Sequence, residues 1–276
     1  STKELKVESA DGNWTYDGNA HTKYEYTVTY GDDSGTATLN AETGKYEYKL
    51  PTNDVVAITP AETATITHVA EGTVDNAFTW EVEHEDFYTK GTDTIGTLKI
   101  NPAAVTLTSG TASKEYDGTA LTNADVEGKN TNGLTEETGW ITGEGATYSF
   151  TGSRIEVGGS GLKENVFTKT AKEGTDFNDY PFTETFGDLI VTTSTKELKV
   201  ASGTEAWTYD GNAHTKPEYT VTYGEDSGTA ALNSETGKYE YTLSTGDVVA
   251  IMPATTATVT HVAEGTVDNA FTWEVE

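Results

Sequence analysis

Apolar and polar side chains alternate with a period of two along most of this chain. In YEYTVTY (24–30), Tyr24, Tyr26, Val28 and Tyr30 fall on one side and Glu25, Thr27 and Thr29 on the other. Tyr46, Tyr48 and Leu50 alternate with Lys45, Glu47 and Lys49, and Phe78, Trp80 and Val82 alternate with Thr79, Glu81 and Glu83. Successive side chains of a strand point to opposite faces, so each segment reads as a strand with one buried and one wet face. Turn-forming clusters such as GDDSG (31–35), ETG (42–44) and PTND (51–54) separate them. No stretch carries a convincing helical period, and the nearest, ADVEGKNTNGLTEET (124–138), is too rich in Gly and Asn. The pattern predicts an all-β chain with about seven to nine short strands per repeat. The expected architecture is a series of immunoglobulin-like antiparallel β-sandwiches. β-grasp-like modules are the alternative and would need a helix.

The strands recur as a larger unit. Residues 1–83 align without a gap on residues 194–276, differing at 15 of 83 positions, so the chain reads as part of a duplicated array. Residues 102–193 form a distant third copy, opening with VTLTSGTASKEYDGTALT and closing with TFGDLIV (185–191), where the first copy closes with TIGTLKI (94–100). The expected domains are therefore 1–101, 102–193 and 194–276, with only a few residues between closing and opening strands. Such short joints predict a stiff or semi-stiff monomeric rod. The third copy has no counterpart of residues 84–100. Its closing strand is expected either to lie outside the sequence or to come from another chain.

One motif marks each copy: WTYDGNAHTK at 14–23 and again at 207–216, with KEYDGTALT at 114–122. Tyr16, Tyr116 and Tyr209 each end a short strand. The following Asp17-Gly18, Asp117-Gly118 and Asp210-Gly211 are turn signals, because Gly accepts positive φ and Asp bonds its own backbone. His21 and His214 are matched by Leu121 in the middle copy. A catalytic or metal-binding imidazole does not survive exchange for leucine, so the motif reads as a structural corner and the Asp17–His21 pair as no active site. The YDG opening, the NAFTWEVE or NVFTKT strand and the closing GTLKI or GDLIV strand together resemble the YDG/MBG-type repeats of large surface proteins of Gram-positive bacteria. That resemblance spans nearly the whole chain. It implies an extracellular, cell-wall-attached adhesin or stalk, non-catalytic, anchored through segments outside this sequence.

Charge and composition narrow the partners. Seventeen basic against 45 acidic residues give a formal net charge of -28, a field that repels phosphate and excludes nucleic acid and anionic lipid. With no cysteine, disulfides and thiolate chemistry are excluded, and no apolar run reaches transmembrane length. The partner expected for an adhesin is a host surface glycan or protein.

Several residues stand out as possible sites. Trp14 and Trp80 correspond to Lys114 and Lys169 in the middle copy, so both positions are expected to be partly exposed. An aromatic patch of Trp14 with Trp80, and of Trp207 with Trp273, could stack on a sugar ring or meet a protein. Asp176, Asn178 and Asp179, like Asp32 and Asp33, carry oxygens at spacings suggestive of calcium, but neither set matches an EF-hand loop, and turn chemistry is the preferred reading. No cofactor is otherwise implied. Lys6 and Asn101 occupy first- and last-strand positions suited to an isopeptide crosslink, which the middle copy, lacking the Asn, could not repeat. His68 and His261 share strand faces with Ile66 and Val259 and read as core-edge residues.

Overall fold

The computed structural model describes residues 3–276. Among these the chain is built of strands joined by turns and 3-10 segments, with no α-helix, so the helix a β-grasp module requires is missing. The first repeat contributes β1 (Glu4–Ser9), β2 (Gly12–Thr15), β3 (Tyr26–Tyr30), β4 (Asp33–Thr36), β5 (Thr38–Leu39), β6 (Tyr46–Lys49), β7 (Val55–Pro60), β8 (Thr73–Asp75), β9 (Phe78–Val82), β10 (Thr89–Lys90) and β11 (Thr97–Asn101). The middle repeat contributes β12 (Val105–Thr108), β13 (Ala112–Glu115), β14 (Leu121–Thr122), β15 (Glu136–Thr138), β16 (Ala146–Phe150), β17 (Ser153–Arg154), β18 (Phe167–Ala171), β19 (Phe182–Thr185) and β20 (Leu189–Thr192). The third contributes β21 (Leu198–Ser202), β22 (Tyr219–Tyr223), β23 (Asp226–Thr229), β24 (Ala231–Leu232), β25 (Tyr239–Thr242), β26 (Val248–Pro253) and β27 (Phe271–Val275).

The chain divides into two compact units, and the middle repeat is shared between them. One unit holds everything up to Thr108 together with Glu136–Tyr148 and Thr168–Thr185. The other holds Ser109–Thr135, Ser149–Phe167 and Phe186–Glu276.

In the first unit two four-stranded sheets, β10–β1–β3–β4 and β5–β6–β7–β9, face one core. Alternation in β1 sends Leu5 and Val7 inward, where they meet Tyr26, Val28, Leu50, Val56, Ile58 and Val82. Tyr26 is buried with its neighbours so completely that its hydroxyl pKa is pushed up to about 12, chiefly by desolvation. Tyr24, expected on the same face, lies outside β3 and is exposed, stacked on Tyr46. The sheets are not purely antiparallel, as the sandwich expectation had it. β10 lies parallel to β1 and β11 parallel to β2, and in the middle repeat β19 lies parallel to β12 and β20 to β13. The closing segment returns after a long connection and runs in the direction of the opening one, which no hairpin could do.

In the second unit the third repeat builds the same core from Tyr219, Val221, Tyr223, Leu243, Val249 and Ile251. Its sheet β21–β22–β23 has no counterpart of β10 among the described residues. Leu198 and Val200 are accordingly half-buried, where their counterparts Leu5 and Val7 are fully buried.

An asparagine, buried in the first two repeats and half-buried in the third, ties each repeat together. Asn76 Nδ2 donates to the Ala10 and Lys23 carbonyls, both at 2.9 Å. Asn269 repeats the clamp on Gly203 and Lys216, and Asn165 donates to the Gly110 carbonyl at 2.7 Å and to Asn123 Oδ1 at 2.8 Å. Asn165→Ala leaves those two buried acceptors unpaired and should cost about 2–4 kcal/mol. Urea unfolding of the full chain measures this, and a midpoint equal to the parent's contradicts the clamp.

Candidate functional site

The YDG turn is assembled the same way three times, but the strand leading into it forms only in the first two copies: residues 203–210 form none, so Tyr209 does not end a strand as expected. Backbone pairing continues just past the strand, with Tyr16 N–H donating to the Asn101 carbonyl and Tyr116 N–H to that of Thr192, both at 2.8 Å. The aspartate then turns the chain: Asp17, Asp117 and Asp210 each accept the N–H two residues on, from Asn19, Thr119 and Asn212, all at 2.9 Å. The glycines follow at φ 80, 78 and 82°, a region that L side chains enter only at a cost. These bonds stabilise the ionised carboxylates. The Asp17 pKa is lowered mainly by the Asn19 N–H, and that of Asp210 falls to about 2 through Asn212 and His214.

The leucine exchange has a partner elsewhere in the motif. In the outer copies His21 and His214 bond Asp17 and Asp210 at 2.9 Å and stack on Trp14 and Trp207 at 4.9 and 5.1 Å. In the middle copy Leu121 is buried, and Lys114, standing where Trp14 stands, reaches Asp117 at 2.9 Å. Tryptophan and histidine are replaced together, and the aspartate keeps a cationic or N–H partner either way.

Two of the three motif tyrosines reach beyond their own repeats. Tyr16 is 3% exposed and donates to Glu144 Oε1 of the middle repeat at 2.7 Å. Glu144 Oε2 accepts from Tyr180 of its own repeat, also at 2.7 Å, and the two phenol rings meet edge-on at 5.5 Å. Tyr116 in turn donates to both oxygens of Asp247 of the third repeat, at 2.9 and 3.0 Å. Burial followed by the Glu144 bond raises the Tyr16 and Tyr180 pKa values. The Asp247 bond is the main cause of the rise at Tyr116. All three hydroxyls therefore keep the proton they donate. The acceptors share a turn: Thr142-Gly143-Glu144 and Thr245-Gly246-Asp247, with Gly143 and Gly246 both at φ 92°. The first repeat has the same turn as Thr52-Asn53-Asp54, with Asn53 at φ 73°. Its Asp54 accepts from its own Tyr88 at 2.5 Å and from His84 at 3.0 Å. Sequence reading missed Glu144 and Asp247. The recurring Thr-(Gly/Asn)-(Asp/Glu) turn was the available signal.

A second contact reinforces the first junction. His68 Nδ1 lies 2.7 Å from Asp179 Oδ2, and the Val69 N–H donates to Asp179 Oδ1 at 2.7 Å. His68 is thus no core-edge residue but half of an ion pair with a fully buried carboxylate, and its counterpart His261 is exposed. The bond to Asp179 raises the His68 pKa. A raised folded-state value contributes stability that is complete below the unfolded pKa, about 6.5, and is lost as pH rises through the folded one. The melting temperature of the full chain should fall by the order of 1–2 °C as this histidine deprotonates. H68Q should lose that part of the pH slope, and equal slopes in parent and variant contradict the assignment.

The other expected sites fare variously. Asp176 accepts from the backbone and side chain of Asn178, and Asp179 is committed to His68 and Val69. Among the described residues no three acidic or histidine side chains gather as metal ligands. Asp33 accepts from Tyr48 at 3.0 Å. Trp14 and Trp80 are half-buried but stand on different sheets. Trp80 bonds Asp93 at 2.8 Å beneath the Lys90 ammonium, and Trp14 stacks on His21. Trp207 and Trp273 are 37% and 40% exposed. Lys169, replacing Trp80, pairs with Glu184 and lies over the Phe182 ring at 4.3 Å. Lys6 is exposed on β1, whereas Asn101 on β11 bonds Asn13. Among the described residues no helix is long and apolar enough to cross a membrane. No family model matches the chain, and neither the curated proteins nor the solved structures contain a match.

Proposed function

We infer that this chain is a non-catalytic repeat region of a bacterial cell-surface adhesin, a mechanical spacer of immunoglobulin-like modules that carries a binding region away from the cell wall. One observation supports this best: the tyrosine of the recurring motif is committed to a carboxylate of the following repeat at both junctions. The aspartate of the motif is committed to its own turn. Residues that sequence reading could have assigned to chemistry are spent on joining modules, and the YDG-type resemblance points to a surface array. Stretching single molecules between their ends tests the reading. Y16F and Y116F should each lower the force of the first extension event while Y209F leaves it unchanged. Identical traces for all three overturn it.

A second reading, binding of a host glycan or protein by the repeats themselves, is favoured by the exposure of Trp207 and Trp273. A glycan array probed with the full chain separates the two. A spacer retains nothing, whereas retention abolished by W207K with W273K establishes the second.

A further inference from the structure

An open cavity of about 370 Å³ lies in the third repeat, between the segment leading into β22, the ring of Tyr239 on β25 and the turn that follows β26. Eight of its ten lining residues are those of the first repeat, and the two exchanges both clear space: Pro217 replaces Tyr24 and Thr255 replaces Glu62. In the first repeat the Tyr24 ring stacks on Tyr46 at 5.7 Å. Among the described residues no ring stacks on Tyr239, the equivalent of Tyr46; Tyr219 meets it edge-on at 5.2 Å. The second exchange removes a carboxylate, and no charged side chain lines the cavity. Two of its polar groups lack partners among the described residues. The Tyr219 hydroxyl is buried with no hydrogen bond, which costs free energy until a ligand or water supplies one. Asn269 commits its Nδ2 to the clamp on Gly203 and Lys216, leaving the amide oxygen over. The first repeat buries the Tyr26 hydroxyl equally unpaired, but there the neighbouring Tyr46 is covered by Tyr24.

We propose that this cavity binds one uncharged sugar ring, its apolar face on Tyr239 where Tyr24 lies on Tyr46 in the first repeat, and its hydroxyls on the Tyr219 hydroxyl and the Asn269 amide oxygen. The size falls within the range of small-molecule sites, and an apolar floor with a few polar groups is their usual composition. A flat aromatic face offers a pyranose the contact its C–H face needs. A ligand without charge suits a lining without charge, while the net charge of -28 repels an acidic sugar. One ring of this size is held with a dissociation constant on the order of millimolar, too weakly to stay on a washed array. The proposal therefore does not rest on the spacer reading, and Trp207 and Trp273 take no part in the lining.

Titrating methyl glucoside, methyl galactoside and N-acetylglucosamine into the full chain carrying isotope-labelled tyrosine, with the ring resonances followed by NMR, tests it. At least one of these sugars should shift the Tyr239 resonances saturably, and sialic acid should bind about tenfold more weakly or not at all. P217Y restores the residue with which the first repeat already folds, and should weaken binding about tenfold or more. The first repeat holds the other eight lining residues in a module completed by β11, so Y24P with E62T should open a second site and make the Tyr46 resonances respond. A parent unmoved by all three sugars, sialic acid bound as tightly, a P217Y that binds like the parent, or no gain at Tyr46 overturns the proposal. Binding lost in W207K with W273K yet kept in P217Y moves the sugar to the tryptophans and overturns it as well.

Discussion

Alanine at Gly118 will destabilise the second unit by about 3–5 kcal/mol, more than the same change at either equivalent glycine. The three glycines share φ near 80°, so each substitution incurs the strain of a side chain in the left-handed region, roughly 1 kcal/mol. They differ in what a Cβ would meet. At Gly118 it would lie 1.8 Å from the Thr245 carbonyl oxygen, a backbone atom of the next repeat that no rotamer change can move. At Gly18 the nearest atoms, Ile141 Cγ2 at 3.5 Å and Glu144 Oε1 at 3.7 Å, are at ordinary contact distance, and at Gly211 nothing lies within 4 Å. G18A and G211A should therefore cost only the shared strain. Urea unfolding of the three variants gives the comparison, and equal losses at all three positions rule out close approach at the second junction.

Phenylalanine at Tyr16 should cost about 1.5–3 kcal/mol, the range for a hydrogen bond to a charged acceptor, because Glu144 Oε1 loses its donor where water is largely excluded. Tyr116→Phe should cost a similar amount, since both Asp247 oxygens face that one hydroxyl. Tyr209→Phe is the control within the same molecule. With no partner to lose, it should fall within about 0.5 kcal/mol of the parent. The tyrosines add an alkaline signature. Raised folded-state pKa values give stability that is intact below about pH 10 and lost as pH climbs through them, so Y16F should flatten the alkaline limb of the stability profile. If Y209F destabilises as much as Y16F, the motif acts within its own repeat and not between repeats.

Those contrasts mark how far the sequence could be read. Strand positions were legible because alternation is local: Leu5, Val7, Tyr26, Val28, Val56 and Ile58 announce their burial within a few residues of neighbours on the same strand. The turn at Asp-Gly was legible for the same reason. The junctions were not, because Tyr16 and Glu144 are 128 positions apart and Tyr116 and Asp247 are 131 apart, and no short-range pattern connects them. Comparing copies recovered part of what local pattern could not. Leu121 opposite His21 set the histidine, which varies, apart from the aspartate, which recurs in all three copies. The simultaneous change of Trp14 to Lys114, which hands Asp117 a new partner, becomes intelligible only when the ring stack and the ion pair are seen. Parallel pairing of the closing strands is equally invisible to a period-two pattern, which fixes faces but not direction.

The near identity of the outer copies has a genetic corollary. Exchange between corresponding points of two such genes adds or removes blocks of 193 residues. Every block so transferred carries one outer-to-middle and one middle-to-outer tyrosine seat, so copy number can drift without any product inheriting a mismatched joint. Recombination between a middle and an outer copy within the motif enjoys no such protection, because Lys114 with His21, or Trp14 with Leu121, would bring together halves of two incompatible corners.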